Sequence, residues 1–224
     1  MGTGHGHFCL VARDVWPDTC FDGLDMAASI DESERRGRVD RGHRGLFPDL
    51  APGLAGSYDV VSMHHYLEHT REPGRELDAA RTVLGPGGHL LIELPAPESP
   101  LGRRLGWAWG PWFQPQHQHF VPLDNLVAAL RARDFAVVAV ERHEAHQPVD
   151  LAFAVMLLAR RLAPAGSAPW DPPPRRTRQA ARAAVFTALL PLAGAAMVAD
   201  QALRPLVRAR PAWSNTYRVL ARKA

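Results

Sequence analysis

Lysine is almost missing from this chain: Lys223 stands alone, although Lys and Arg together number 26 against 23 Asp and Glu. Basic charge carried by arginine and nearly balanced by acid, with no basic stripe interleaved with aromatics in the first part of the chain, argues against nucleic-acid binding. Cysteine is scarce. Cys9 and Cys20 are too far apart for a CxxC pair and lie in apolar surroundings, which reads as buried thiols in a reducing, cytoplasmic compartment. The first residues have neither a basic n-region nor an apolar h-region, so no secretory signal is expected. The histidines are explained as well by their positions in loops. His5, His7, His64, His65, His69, His117 and His119 are therefore not expected to hold a metal. Finally, the uncharged apolar stretch 183–199 is short of the roughly 20 residues of a membrane span and contains Pro191 and Gly194.

What is present is a chain of 224 residues, 46% hydrophobic, enough for one sizeable core with an appendage. Strand and helix signals alternate up to about residue 147, which predicts an α/β fold with a doubly wound, mostly parallel sheet covered on both faces. The strands fall at 20–25, near Val39, and at 58–63, 89–94 and 135–140; the helices fall at 8–13, 26–38, 67–84 and 124–133. Beyond Asp150 the character changes. A short apolar helix at 151–163, a Pro-rich linker at 164–174 and a long apolar segment at 178–207 lead to an alternating, strand-like end at 215–222. The division expected is a cofactor-type domain at 1–150, a helical insertion or lid at 151–210, and a closing strand at 211–224.

The chain opens Met1-Gly2-Thr3-Gly4-His5-Gly6-His7, a glycine loop directly ahead of a helix, where backbone can approach a ligand and helix N–H groups point at it. About 20 residues on, Asp25 ends a short strand, the place from which a carboxylate accepts ribose hydroxyls. Two cofactor classes share this layout. A dinucleotide fingerprint on Gly2 and Gly4 requires glycine where His7 stands, which disfavours a nicotinamide enzyme. The spacing Gly2, Gly4, Gly6 instead resembles the GxGxG of class I S-adenosylmethionine-dependent methyltransferases. Later segments agree in order: Tyr58-Asp59-Val60-Val61-Ser62-Met63-His64-His65 resembles that family's fourth strand and following turn. Leu84-Gly85-Pro86-Gly87-Gly88-His89-Leu90-Leu91-Ile92 resembles its LxPGGxLxI segment, and Pro115-Gln116-His117-Gln118-His119-Phe120 its histidine-bearing loop.

The resemblance spans residue 1 to about 140 and implies a Rossmann-like fold, an S-adenosyl-L-methionine cofactor and a small-molecule or lipid-like methyl acceptor. It implies that Gly2, Thr3, Gly4 and Gly6 line the methionine and ribose side, that Asp25 and Met26 hold the ribose end, and that the backbone at Met63 and His64 flanks the methyl. The family's first strand and its acidic residue have no counterpart in this sequence. Two expectations follow, a start lying upstream of Met1, or a non-catalytic copy with a binding role.

Where the acceptor is a hydroxyl, a base must take its proton, and histidine suits that task. The candidates are His117 and His119, in an aromatic loop at 102–122 rich in tryptophan, and His65 after the fourth strand; each competes with a purely structural role. The apolar segment 183–207 also has two readings: a lid or homodimer-forming hairpin, or peripheral attachment to a lipid surface behind Arg175, Arg176, Arg178 and Arg182.

Overall fold

The computed structural model describes residues 1–112, 115–142, 149–164 and 175–224; Phe113 and Gln114 of the aromatic loop and nearly all of the Pro-rich linker lie outside them. The elements run α1 (His7–Val15), β1 (Gly23–Asp25), α2 (Ser29–Arg35), β2 (Gly42–Arg44), α3 (Phe47–Leu50), β3 (Tyr58–His64), α4 (Pro73–Val83), β4 (Leu84–Pro95), α5 (Pro100–Leu105), α6 (Leu123–Arg131), β5 (Phe135–Glu141), α7 (Asp150–Leu162), α8 (Arg176–Ala209) and β6 (Thr216–Lys223). They form two compact units. The first comprises Met1–Pro95, Gln118–Glu141 and Tyr217–Ala224; the second comprises Ala96–His117 and Arg142–Thr216. The second unit thus takes in 96–117 as well as the helical segment expected at 151–210.

The first unit is the expected α/β fold, with its strands in two sheets. β1 and β2 pair in parallel, and β3, β4, β6 and β5 lie in that order, β3 parallel to β4 and β6 antiparallel to β5. Between β1 and β3 runs the opening loop: the Met1 nitrogen donates to the Ser62 carbonyl of β3 at 2.8 Å, and the Thr3 N–H to the Leu24 carbonyl of β1 at 3.1 Å. Val60 of β3 and Val11 and Val15 of α1 remain exposed. Leu90, Ile92 and Leu94 alternate inward along β4 against Met63, Leu67 and Val83, as a period of two requires. A satellite core of Cys9, Ile30 and Val39, with Phe21 packed on it, holds α1 and α2 over the first sheet.

Several local expectations shift. The helix expected at 67–84 begins at Pro73, because a proline fits the first helical position and not the interior; Leu67–His69 is a separate 3-10 turn. α4 ends at Val83, and the Gly85-Pro86-Gly87-Gly88 run lies within β4 as a bulge, the register passing from Tyr58↔Leu84 to Val60↔His89. The strand expected near Val39 is β2 at Gly42–Arg44, and the Val39 side chain is apolar core. Cys9 is buried, and burial pushes its thiol up, but Cys20 is exposed because it falls before the strand begins at Gly23.

In the second unit α7 and α8 form a hairpin. Asp200 of α8 caps α7, accepting the N–H groups of Leu151 at 3.1 Å and Ala152 at 3.0 Å, and Arg182 donates to the Ala163 carbonyl past the other end of α7 at 3.2 Å. Fully buried Trp109 donates from Nε1 to Asp150 Oδ1 at 2.8 Å, and Asn215 donates to Oδ2 at 2.9 Å. Burial nevertheless pushes the Asp150 carboxyl up to about 6, since two neutral donors do not replace its hydration.

Candidate active site

The glycine loop is tied on both sides. Thr3 Oγ1 accepts the Leu24 N–H at 2.9 Å, and Gly4 donates its N–H to Asp25 Oδ2 at 2.8 Å, while Asp25 Oδ1 accepts the Ala27 N–H at 2.9 Å. A carboxylate offers about four lone-pair directions, so Asp25 organises the loop and β1's end and still has acceptor capacity for a ligand diol. Ser33 Oγ donates to the Gly4 carbonyl at 3.1 Å, and Arg38 to the His5 carbonyl at 3.0 Å. Neither residue carries a motif, and only their placement on and just after α2 brings them to the loop.

Glycine is required here on steric grounds. Gly2, Gly4 and Gly6 all have positive φ, at 63°, 52° and 73°. A Cβ on Gly2 would stand 2.9 Å from the Tyr66 ring, whose hydroxyl is held on Glu76 at 3.0 Å; one on Gly6 would stand 3.0 Å from Arg38 Cβ. Beside Gly4 the space is open. Gly6→Ala is expected to lower stability by about 1–2 kcal/mol through the strained φ and crowded Cβ, measured as a shift in urea midpoint. An unshifted midpoint would mean that the turn tolerates a side chain.

At the ends of β3 and β4 a second cluster collects charge. His65, at φ 47°, places Nδ1 3.1 Å from Glu68 Oε1 and Nε2 3.3 Å from Glu93 Oε1. Arg218 on β6 reaches Glu93 Oε2 at 2.7 Å and Glu141 at 3.0 Å. Burial opposes the charge on His65, but the two carboxylates outweigh it and raise its pKa to about 9. Burial likewise opposes the Glu93 charge, and its hydrogen bonds to His64, His65 and Arg218 hold it well below the usual range. His65 is thus an imidazolium near neutral pH, with both ring nitrogens on carboxylates. Its expected role as proton acceptor would require it to give up that proton first.

His64 sits 3.5 Å from Glu93 through Nδ1, its ring 4.8 Å from that of Phe8 on α1, and its buried Nε2 has no hydrogen-bond partner among the described residues. Met63 is fully buried, so only its backbone is placed for a ligand, whereas Met26 is 67% exposed just past Asp25. His119 donates from Nε2 to the Arg71 carbonyl at 3.1 Å, which leaves Nδ1 as its lone-pair nitrogen, and its N–H bonds the Glu68 carbonyl at 3.2 Å. His65 and His119 therefore meet on one residue, Glu68. His117, in the second unit, donates from Nδ1 to the Pro111 carbonyl at 2.7 Å.

A methyltransferase-domain family model matches residues 1–140, well over half the chain. Together with this fold and loop, that match places the chain in the methyltransferase-domain family. It is a class I S-adenosylmethionine-dependent methyltransferase, with S-adenosyl-L-methionine as its cofactor. Among solved structures it is similar to a methyltransferase of Archaeoglobus fulgidus (TM-score 0.58, 16% identity, 99% of this chain and 83% of that one). A methyltransferase of Mesorhizobium loti gives TM-score 0.54 and 17% identity over 99% of this chain and 88% of that one. A possible histamine N-methyltransferase of Thermotoga maritima gives 0.51 and 23% identity over 65% and 67%. These likenesses show the fold. A comparison with curated proteins gives no match.

The residues present fit the cofactor. The open space beside Gly4, the remaining acceptor capacity of Asp25 and the unpartnered Nε2 of His64 are what a polar nucleoside would use.

Proposed function

We propose that the chain methylates a small or lipid-like acceptor at oxygen, carbon or nitrogen, with Gly2, Thr3, Gly4, Gly6, Asp25 and Met26 on the cofactor and the backbone of Met63 and His64 beside the methyl group. The observation that carries this reading is the Gly4 to Asp25 bond, which presets loop and carboxylate together. S-adenosylmethionine supplies an electrophilic methyl on sulfur; the protein's share is to align the acceptor and, for a hydroxyl, to take its proton.

His119 suits the proton transfer, because its Nε2–H is held on the Arg71 carbonyl and Nδ1 carries the lone pair. His117 is held on the Pro111 carbonyl through its Nδ1–H, within the second unit. The positive charge of His65 suits it instead to holding the strand ends. Each of His119→Ala and His117→Ala is expected to cut turnover by about 100-fold with S-adenosylhomocysteine affinity unchanged, measured by coupled assay and calorimetry. Unchanged turnover in either variant removes that residue from the chemistry, and failure of the wild-type chain to bind S-adenosylhomocysteine would favour a non-catalytic binding role.

A further inference from the structure

The α7–α8 hairpin carries apolar surface that its own unit does not cover. α8 packs on α7 through one face, with Val185, Phe186, Leu189, Ala193 and Ala196 half-buried and Asp200 buried. The opposite face is as apolar as the packed one: Leu190 is 64% exposed and Val198 70%, with Pro191, Gly194 and Met197 exposed between them. A helix apolar around most of its circumference belongs inside a core or against lipid, and this one is not inside a core. Among the described residues α8 is the helix long and apolar enough to cross a membrane. A spanning hairpin is nevertheless disfavoured. The 13 residues of α7 reach about 20 Å, short of a hydrocarbon core of about 30 Å, and the bonds at Asp200 and Arg182 hold α7 alongside α8 at both ends.

Charge selects the kind of surface. The segment 150–210 holds nine arginines against Asp150, Asp171 and Asp200. Asp150 and Asp200 are buried and already bonded within the unit. At the hairpin's loop end Arg160 and Arg161 close α7, and Arg175, Arg176 and Arg178 open α8, all of them exposed. The first turn of α8 has no acidic residue, although a helix N-terminus disfavours cations. Among the described residues, Arg175, Arg176 and Arg178 make no ion pair. An external anion would relieve all three, and at the other end Arg204 and Arg210 are exposed as well.

We propose that the α7–α8 hairpin docks in the plane of an anionic bilayer surface, its open α8 face in the acyl boundary and its arginines on lipid phosphates. The surface stands on the second unit alone and does not depend on the identity of the methyl acceptor.

The test floats the whole chain with phosphatidylcholine vesicles, with and without about one-third phosphatidylglycerol. Binding is expected to the anionic vesicles and to be weakened by salt. Charge reversal by Arg175→Glu, Arg176→Glu and Arg178→Glu together should lower the partition coefficient by about 100-fold or more. Leu190→Gln with Val198→Gln should lower it by about 10-fold or more, since both side chains leave the apolar phase. Every replaced residue is exposed, and circular dichroism checks that the variants keep their helices. Absence of binding to anionic vesicles, equal binding to neutral ones, or binding unchanged in both variants would overturn the proposal. Retention through alkaline carbonate would replace it with a span, and self-association through the hairpin without lipid would replace it with a dimer interface.

Discussion

Replacing Asp25 with alanine is expected to weaken S-adenosylhomocysteine binding by about 100-fold or more, the largest effect of any single substitution in the cofactor site. Two of the carboxylate's lone pairs take the Gly4 and Ala27 N–H groups, at 2.8 and 2.9 Å. A ribose diol on the remaining pair makes two hydrogen bonds to a charged acceptor, worth about 1.5 kcal/mol or more each, hence about 3 kcal/mol together. Losing the carboxylate also frees the Gly4 N–H, so the loop loses the tie that presets it. Asp25→Asn retains an acceptor oxygen on a side chain of the same shape and is expected to fall between alanine and wild type. Calorimetric titration measures all three. An alanine variant that binds as wild type does would show that the cofactor is held elsewhere and that the glycine loop keeps its shape without Asp25.

Asp25 and the glycine loop were legible because their signal is local: glycine at alternate positions, a helix behind, an acidic residue at a fixed distance. β3 and β4 were legible because Tyr58 to Met63 and Leu90 to Leu94 are long enough to show strand character. β1 and β2, at three residues each, are too short for periodicity to place, which is why β2 was expected at Val39. The aromatic loop stood out by composition, but what Trp109 does there depends on Asp150 and Asn215, which lie 41 and 106 positions further along the chain. The charge on His65 is likewise set by Glu93 on another strand. Ser33, Arg38 and Tyr66 support the loop without any motif, so only the folded chain reveals them.

The second large expected effect concerns that charge. The unfolded imidazole titrates near 6.5 and the folded one near 9. His65 therefore adds stability that is fully present below pH 6.5 and drains away as pH rises through about 9. Glu93 works in the opposite sense. Its pKa is depressed by the same cluster, so its share is present above the ordinary glutamate range and lost only in acid. At face value the His65 shift is worth about 3 kcal/mol. One-third of its side chain is exposed, and screening there reduces this to about 2 kcal/mol. His65→Gln should accordingly lower the unfolding free energy by about 2 kcal/mol at pH 6 and by much less at pH 9.5. Asp150, raised to about 6, has spent its own pH dependence by neutral pH, but burial also pushes the Met1 amino group down and the Cys9 thiol up, and both shifts add pH dependence of their own. The difference between wild type and variant thus carries the test, not the shape of either curve. Urea unfolding at the two pH values measures it. A gap of the same size at both would mean that His65 contributes through packing, and its positive charge would have no part in holding β3 to β4.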